Sequence, residues 1–365
     1  MSVPNRYYWF FGPKDYKNSG IFKYCETFIA ELCAKMDISK KYIPLGANNP
    51  LRYIYQIFIF PLIISIFYRN KHKIFSDESF LLSTLFPFFP YKKCLYIIHD
   101  YRDFTLTKKH QNIFDKIYFF FLLKAYQNLK HIHTVICVSS YTKKIVQKEF
   151  NLPDNKCILI ENSFEMSSFI YHEDRYKLKA QLSKKYDFTA KKILLNVGSE
   201  EERKNIPTII LSMKHLQDYV FIKIGNPVIS SNRKMNLSLV LQNKLENVLF
   251  VDVVSEIELS YFYQIADIYV SLSEFEGFGR TPVEAQMHGL PVIASQIEPF
   301  LSNLGDSALF IKNFRDPQGL ANAVRDLEKN NDIRQELIKR GKANAKRFDV
   351  KRNTQKFQDV LHGLT

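Results

Sequence analysis

The sequence predicts an α/β protein of two doubly wound, Rossmann-like domains facing a cleft. Three observations predict it. Short, wholly apolar runs of the buried-strand kind alternate with helix patterns along the chain, as in a parallel sheet with helices on its faces. Several of these runs end in a turn with a glycine or a capping residue that opens directly into a helix, as in 268–295, IYVSLSEFEGFGRTPVEAQMHGLPVIAS. The chain has 365 residues, 46% of them hydrophobic, enough for two cores.

Taken in order, Tyr7–Phe11 reads as a buried strand closed by Gly12-Pro13, followed by a loop and a helix from Gly20 through Met36. Tyr53–Tyr68, YIYQIFIFPLIISIFY, is apolar and flanked by Arg52, Arg69, Lys71 and Lys73. With 16 residues, Gln56 and Pro61 among them, it is short for crossing about 30 Å of hydrocarbon. It predicts a buried helix feeding a strand Lys73–Ser76. A further reading keeps it folded and rests its aromatic face, with Phe86–Pro90, on a bilayer. Cys94–Ile98 is a buried strand ending at His99-Asp100, and Asn112–Lys130 is a long aromatic helix. Thr134–Val138 is the next strand, and Ser139-Ser140 cap a helix Tyr141–Phe150. Lys156–Ile160 then leads to Glu161-Asn162-Ser163.

Glu173–Lys185 is charged and helical, and the loose stretch after it predicts a boundary, giving domains 1–186 and 187–347 with a C-terminal segment 348–365. In the second domain, strands are expected at Lys192–Val197, Val220–Gly225, Asn247–Val251, Ile268–Val270, Val292–Ala294 and Leu309–Ile311. Helices are expected from Pro207, at Glu256–Ile265, from Thr281 to Gly289, and at Pro317–Lys329, Asp332–Arg347 and Asp349–Leu364. Pro282 falls in the first turn of its helix, where a missing N–H costs nothing.

Lys and Arg number 51 against 37 Asp and Glu, a net charge of +14. Such a balance favours polyanions. The aromatic residues fall in apolar runs and do not alternate with Arg and Gly, and there is no RNA-binding signature. A diphosphate-bearing substrate or an anionic membrane surface is therefore expected over nucleic acid. The five cysteines are scattered, with no CxxC pair, which predicts buried thiols in a reducing compartment and no zinc site. The first residues lack a cleavable signal pattern, so the cytoplasm is expected.

Two stretches carry chemistry. In 276–284, EGFGRTPVE, Gly277 and Gly279 let backbone N–H groups approach a ligand, and the following helix directs its positive end to the same place. Glu276 and Glu284 bracket the loop with seven residues between them and suit sugar hydroxyls. By spacing alone, an ordinary turn with solvated glutamates is the simpler account. In 198–205, GSEEERKN, Arg203 and Lys204 at a strand-to-helix junction can neutralise a diphosphate, or they can simply pair with the neighbouring glutamates. No DxD triplet stands at a strand end, so a metal-independent site is expected.

EGFGRTPVEA followed by HGLPVIAS resembles the donor-site signature of the retaining GT-B glycosyltransferases, glycosyltransferase family 4, also called group 1. The likeness covers nearly the whole chain, is strongest over 192–295, and extends loosely to O-antigen mannosyltransferases. It implies that Glu276 contacts the donor hexose, that Glu284 binds the ribose, and that Arg203 and Lys204 form the diphosphate clamp. His99 would approach the reacting sugar from the opposite domain, and Gly20 would line the cleft near the phosphates. Ser199, Gly225, Gly277, Phe278, Gly279, Arg280 and Thr281 would complete the donor site, while Asp100, Arg102 and Asp103 are weaker candidates for acceptor contact. The final helix would cross back onto the first domain. Two positions depart from the family: Ser199 stands where an Arg is frequent, and Arg280 where an apolar residue is frequent. Arg280 either supplies the missing cation or faces solvent.

The implied activity is transfer of a hexosyl unit, mannosyl favoured, from a GDP- or UDP-sugar to a saccharide or lipid-linked acceptor in cell-surface polysaccharide synthesis. The inner face of the plasma membrane is then a candidate location. Front-face displacement fits a retaining enzyme that has no obvious nucleophile, with Glu276 as a covalent nucleophile the competing mechanism. A GT-B sugar-nucleotide epimerase and a non-catalytic partner subunit are the alternative functions.

Overall fold

The computed structural model describes residues 6–13, 20–46, 49–76, 88–101, 113–166, 174–188, 192–227 and 230–363, with the backbone alone at 113–115, 118 and 119. The chain divides into two units, Met1–Glu165 with Phe348–Thr365, and Met166–Arg347.

The first unit contains β1 (Tyr7–Pro13), α1 (Gly20–Cys33), β2 (Ile38–Ile43), α2 (Leu51–Ile54), α3 (Phe60–Phe67), β3 (His72–Ser76), β4 (Cys94–Ile98), α4 (Ile113–Gln127), β5 (Thr134–Cys137), α5 (Ser140–Phe150) and β6 (Cys157–Leu159). Its six strands are parallel in the order β2-β1-β3-β4-β5-β6. All five residues of β4 and all four of β5 are buried, as expected of strands covered on both faces. The Ser139 hydroxyl accepts from the Thr142 N–H and caps α5. The edge strand β2 has no counterpart in the sequence-based expectation. Its sequence ISKKYI is only partly buried, so it lacks the apolar run that marks the central strands.

Between Ile54 and Phe60 the helix loosens into a π-helical stretch, Tyr55–Ile59, so that 51–67 is one continuous helix. Pro61 explains the loosening. It lacks the N–H that an α-helix would use there, and the wider turn accommodates its ring. This helix is not wholly buried as the sequence suggested. Ile57, Phe60 and Ile64 enter the core, while Leu51, Ile54, Phe58, Leu62 and Ile66 are exposed.

The second unit contains α6 (Arg175–Tyr186), β7 (Lys192–Val197), α7 (Ile206–Ser212), β8 (Tyr219–Ile224), α8 (Ser230–Gln242), β9 (Val248–Val251), α9 (Glu256–Ile265), β10 (Ile268–Ser271), α10 (Arg280–Met287), β11 (Val292–Ser295), α11 (Glu298–Leu304), β12 (Leu309–Ile311), α12 (Pro317–Lys329) and α13 (Asn331–Ala345). Its parallel sheet runs β12-β11-β10-β7-β8-β9, so the first and fourth strands of this half lie side by side and the winding reverses between them. In open α/β sheets the crevice outside the carboxyl ends of such strands is where ligands bind. Here the loops after β7 and β10 meet there.

The boundary expected at 186/187 lies earlier, at 165/166. Helix α6 belongs to the second unit. Its Leu178 and Leu182 are buried, and the Arg175 guanidinium donates to the carbonyls of Gln264, Ile265 and Ala266 and to Asp267. That arginine satisfies carbonyls left over at the C-terminal end of α9. After Arg347 the chain rejoins the first unit as α14 (Val350–His362). Trp9 of β1 stacks on Phe357 at 5.4 Å, and the Tyr7 hydroxyl donates to the Leu361 carbonyl.

Candidate active site

The loop after β7 passes through Gly198 and Ser199 to a short 3₁₀ turn, Glu202–Lys204, and Asn205 takes a left-handed conformation that starts α7. The loop after β10, residues 272–279, lies against it, and the Glu274 N–H donates to the Arg203 carbonyl at 2.7 Å. Residues 72 or 73 positions apart in sequence thereby join one ionic cluster. Lys204 Nζ lies 2.5 Å from Glu276 Oε1, and Arg203 donates to Glu276 Oε2 at 3.1 Å. Arg203 also donates to the Phe275 carbonyl at 3.0 Å and pairs with Glu201 at 2.6 Å. The Ser273 hydroxyl donates to Glu276 Oε1 at 2.8 Å.

Glu276 is 7% exposed. Burial pushes its carboxyl group up, but Lys204 and Arg203 together outweigh that and hold it down at about 2. It is therefore an anion throughout the ordinary pH range. The other glutamates of 200–202 do different things. Glu201 shares Arg203, Glu202 is exposed, and Glu200 turns inward to Arg233 and Asn236. The Ser199 hydroxyl is turned to Glu201 at 3.4 Å.

Gly279 precedes α10 with φ +82°, and a Cβ there would stand 2.3 Å from the Phe300 ring, so the position requires glycine. Phe278 and Gly277 are buried, and the Phe278 carbonyl accepts from Asn303 at 2.7 Å. The Thr281 hydroxyl accepts from Tyr269 at 2.6 Å. Arg280 does not face solvent. It is one-seventh exposed and lies 3.6 Å from Glu284, one helical turn on. That contact offsets the cost of a cation at the positive end of a helix. Glu284 also accepts from the Tyr263 hydroxyl at 3.2 Å.

A second buried cluster holds the backbone of this site. Gly225, at the end of β8, has φ +120°, and a Cβ there would meet the Gly198 carbonyl oxygen at 2.2 Å. The Lys223 ammonium donates to that same oxygen at 2.5 Å and to the Ile224 carbonyl at 3.0 Å. Burial pushes Lys223 down to about 7, although Glu200 pulls it the other way. Gly225→Ala is expected to cost on the order of 1–3 kcal/mol, because strained backbone and a backbone clash coincide there. Urea unfolding measures this, and a variant as stable as the native chain would contradict the close approach.

In the first unit, His99 follows β4, is buried, and meets the Tyr24 ring edge-on at 4.9 Å. Tyr24 lies one helical turn after Gly20, so α1 brings Gly20 and His99 to the same end of this sheet. Asp100 is half-buried. Arg102 and Asp103 lie outside the described residues.

Sequence reasoning missed Ser273, Tyr263, Tyr269, Glu200, Lys223 and Arg233. A serine at a strand end and a lysine inside an apolar strand were signals of sequence alone. The two tyrosines were hidden among core aromatics. Among the described residues no three His, Cys, Asp or Glu side chains are grouped so as to hold a metal ion.

Residues 179–344 match the family described as glycosyl transferases group 1. The O-antigen chain mannosyltransferase RfbU of Salmonella typhimurium is 30% identical over 236 residues, 63% of this chain and 60% of that protein. O-antigen chain mannosyltransferase B of Escherichia coli is 23% identical over 256 residues, 68% of this chain and 65% of that protein. The chain thus spans less than two thirds of either relative's length. Among solved structures, Anabaena HepE, crystallised with UDP and glucose, superposes with a TM-score of 0.76 at 13% identity, covering 99% of this chain and 100% of that one. Sucrose-phosphate synthase of Thermosynechococcus elongatus gives 0.77 at 17% identity, covering 99% of each chain. The fold is therefore GT-B, with two Rossmann-like parallel-sheet units.

Proposed function

We propose that the chain is a retaining, metal-independent hexosyltransferase. It would move a sugar, mannosyl favoured, from a GDP- or UDP-sugar to a saccharide or lipid-linked acceptor in cell-surface polysaccharide synthesis. The observation that carries this reading is the pairing of Arg203 and Lys204 with Glu276 at the point where the second sheet reverses its winding. A decayed partner subunit would have no reason to keep two cations and a depressed carboxyl group together there. The O-antigen mannosyltransferases to which the chain is similar support the mannosyl preference and the polysaccharide setting.

In this reading the donor diphosphate takes Arg203 and Lys204, and Glu276 turns to the hexose hydroxyls. Glu284 accepts from the ribose, with Arg280 and Tyr263 holding its carboxylate in place. The backbone around Gly277, Phe278 and Gly279, with the positive end of α10, meets the phosphates, and Thr281, Ser199 and Gly225 shape the same wall. His99 and Gly20 are assigned to the transferred sugar and its phosphates, and Asp100, Arg102 and Asp103 to the acceptor. Bond breaking puts charge on the leaving diphosphate, which the two cations stabilise. The acceptor hydroxyl gives its proton to the departing phosphate oxygen as it bonds to the anomeric carbon on the same face.

The test is thermal unfolding against GDP-mannose, UDP-glucose, UDP-galactose and UDP-N-acetylhexosamines. A ligand at about 100 times its Kd stabilises the folded state by about 2.7 kcal/mol, so the donor should raise Tm by several degrees. GDP-mannose is expected to lead. A UDP-sugar in its place overturns the mannosyl assignment, and no shift with any nucleotide sugar overturns the enzyme reading.

A further inference from the structure

The continuous helix 51–67 carries its apolar residues on both sides. Ile57, Phe60 and Ile64 enter the core, as an amphipathic helix requires. The outward side should then be polar, yet Leu51, Ile54, Phe58, Leu62 and Ile66 form a stripe along it, with Ile66 60% exposed. Their spacing of three or four residues keeps them on one side of the helix. The stripe continues onto α4, where Ile117, Phe120 and Leu123 are also exposed, and Phe58 meets Phe121 edge-on at 6.0 Å, joining the two surfaces. An apolar face this continuous across two elements marks an interaction site.

The charge bordering it identifies the partner. Residues 51–73 contain no Asp or Glu, and of their four Arg and Lys side chains Arg52 and Lys73 are buried, leaving Arg69 and Lys71 at the surface. Arg69 and Lys71 are exposed directly after the helix ends, and Lys93 reaches the same turn, donating to the Asn70 carbonyl at 3.5 Å. Lys92 beside it is exposed. A second copy of the chain is the poorer match. A two-fold contact sets a patch on itself, and this helix and its turn hold cations with no carboxylates to receive them. A layer of anionic headgroups over acyl chains matches both parts, the apolar stripe and the basic end. Among the described residues no helix is long and apolar enough to cross a membrane.

We propose that the outward faces of 51–67 and α4 dock on an anionic lipid surface, the helices lying in the headgroup plane with Arg69, Lys71 and Lys92 on the phosphates. The proposal rests on this surface alone and not on the transfer reaction.

The test is flotation of the full chain with phosphatidylcholine vesicles, with and without phosphatidylglycerol, at low and high salt. The native chain is expected to float with the anionic vesicles and to be released by salt. Phe58→Glu with Ile66→Glu, and separately Arg69→Glu with Lys71→Glu, should each lower partitioning on the order of tenfold or more. Circular dichroism checks folding, and Ile54→Gln with Leu62→Gln is the milder pair should the first not fold. Nucleotide-sugar binding should be unchanged in all of them, which separates a failure here from a failure of the donor-site reading. Three outcomes would overturn the proposal. The native chain could stay unbound with anionic vesicles at low salt. Flotation could survive the apolar-face variants. Light scattering could reveal a dimer that those variants split, making the face a contact between copies.

Discussion

Glu276→Gln is expected to lower sugar transfer on the order of 10²–10³-fold while a nucleoside diphosphate binds at least as tightly as to the native chain. The asymmetry follows from the ion pairs. Glu276 occupies Lys204 at 2.5 Å and Arg203 at 3.1 Å, the two cations a diphosphate would take. The amide keeps the shape and removes the competing anion, so both cations are released to the phosphates. It also replaces a charged two-oxygen acceptor for the sugar hydroxyls by a neutral one in which an NH2 group stands in place of one oxygen, and a weakened polar contact of that kind lowers the rate where it strengthens in the transition state. Calorimetry with GDP or UDP, beside kcat for transfer, separates the two effects. Equal losses in both would make Glu276 a structural carboxylate only.

The same substitution changes the acid side of the stability curve. The folded carboxyl group is held at about 2 against an ordinary value of 4.5, so its contribution is present above pH 4.5 and is lost as pH falls from there toward 2. A shift of that size corresponds to about 3 kcal/mol. The Gln variant should therefore be less stable than the native chain near neutral pH, and the gap should close toward pH 2.

Lys204→Ala is the second large effect. A fall in kcat/KM on the order of 10²–10³-fold is expected, the size seen when one preorganised donor to developing charge is removed. Arg203→Ala should cost less, because Arg203 is divided among Glu276, Glu201 and the Phe275 carbonyl, whereas Lys204 bonds to Glu276. Lys204→Ala also leaves Glu276 with one cation, so urea unfolding should show a loss of about 1–3 kcal/mol. The order of the two variants is the informative result. Lys204→Ala with turnover near native, beside an inactive Arg203→Ala, would make Arg203 the main support of the leaving diphosphate and Lys204 the lesser one.

Much of the second unit was legible from residues alone. The strand Lys192–Val197 and the helix Glu256–Ile265 have the bounds the pattern gives, since a clean apolar run and a Ser255 cap mark them. Helix α8 was not legible. Its sequence SSNRKMNLSLVLQ has no apolar stripe, and the one side chain it buries fully is Asn236, bonded to Glu200. Helix α11 is seven residues long, too short for its periodicity to register. In the site, Arg203, Lys204 and Glu276 stand out by type and position, but their mutual pairing does not, because it depends on two loops of the sheet meeting. The Arg280–Glu284 pair follows the ordinary helical spacing of four, a simpler signal than the unusual residue type at 280.

The bridge between Phe164 and Asp349 bears on how the polypeptide comes together. The Phe164 N–H donates to Phe348 and the Val350 N–H to Phe164, so the chain leaving the first unit is bonded to the chain coming back. Everything between is, topologically, an insertion into a fold already begun. On the ribosome, β1 emerges long before α14, and Trp9 has no Phe357 to stack on until the whole inserted unit has been translated. The half made first is thus the half finished last, its aromatic sheet face left open through the synthesis of a complete domain.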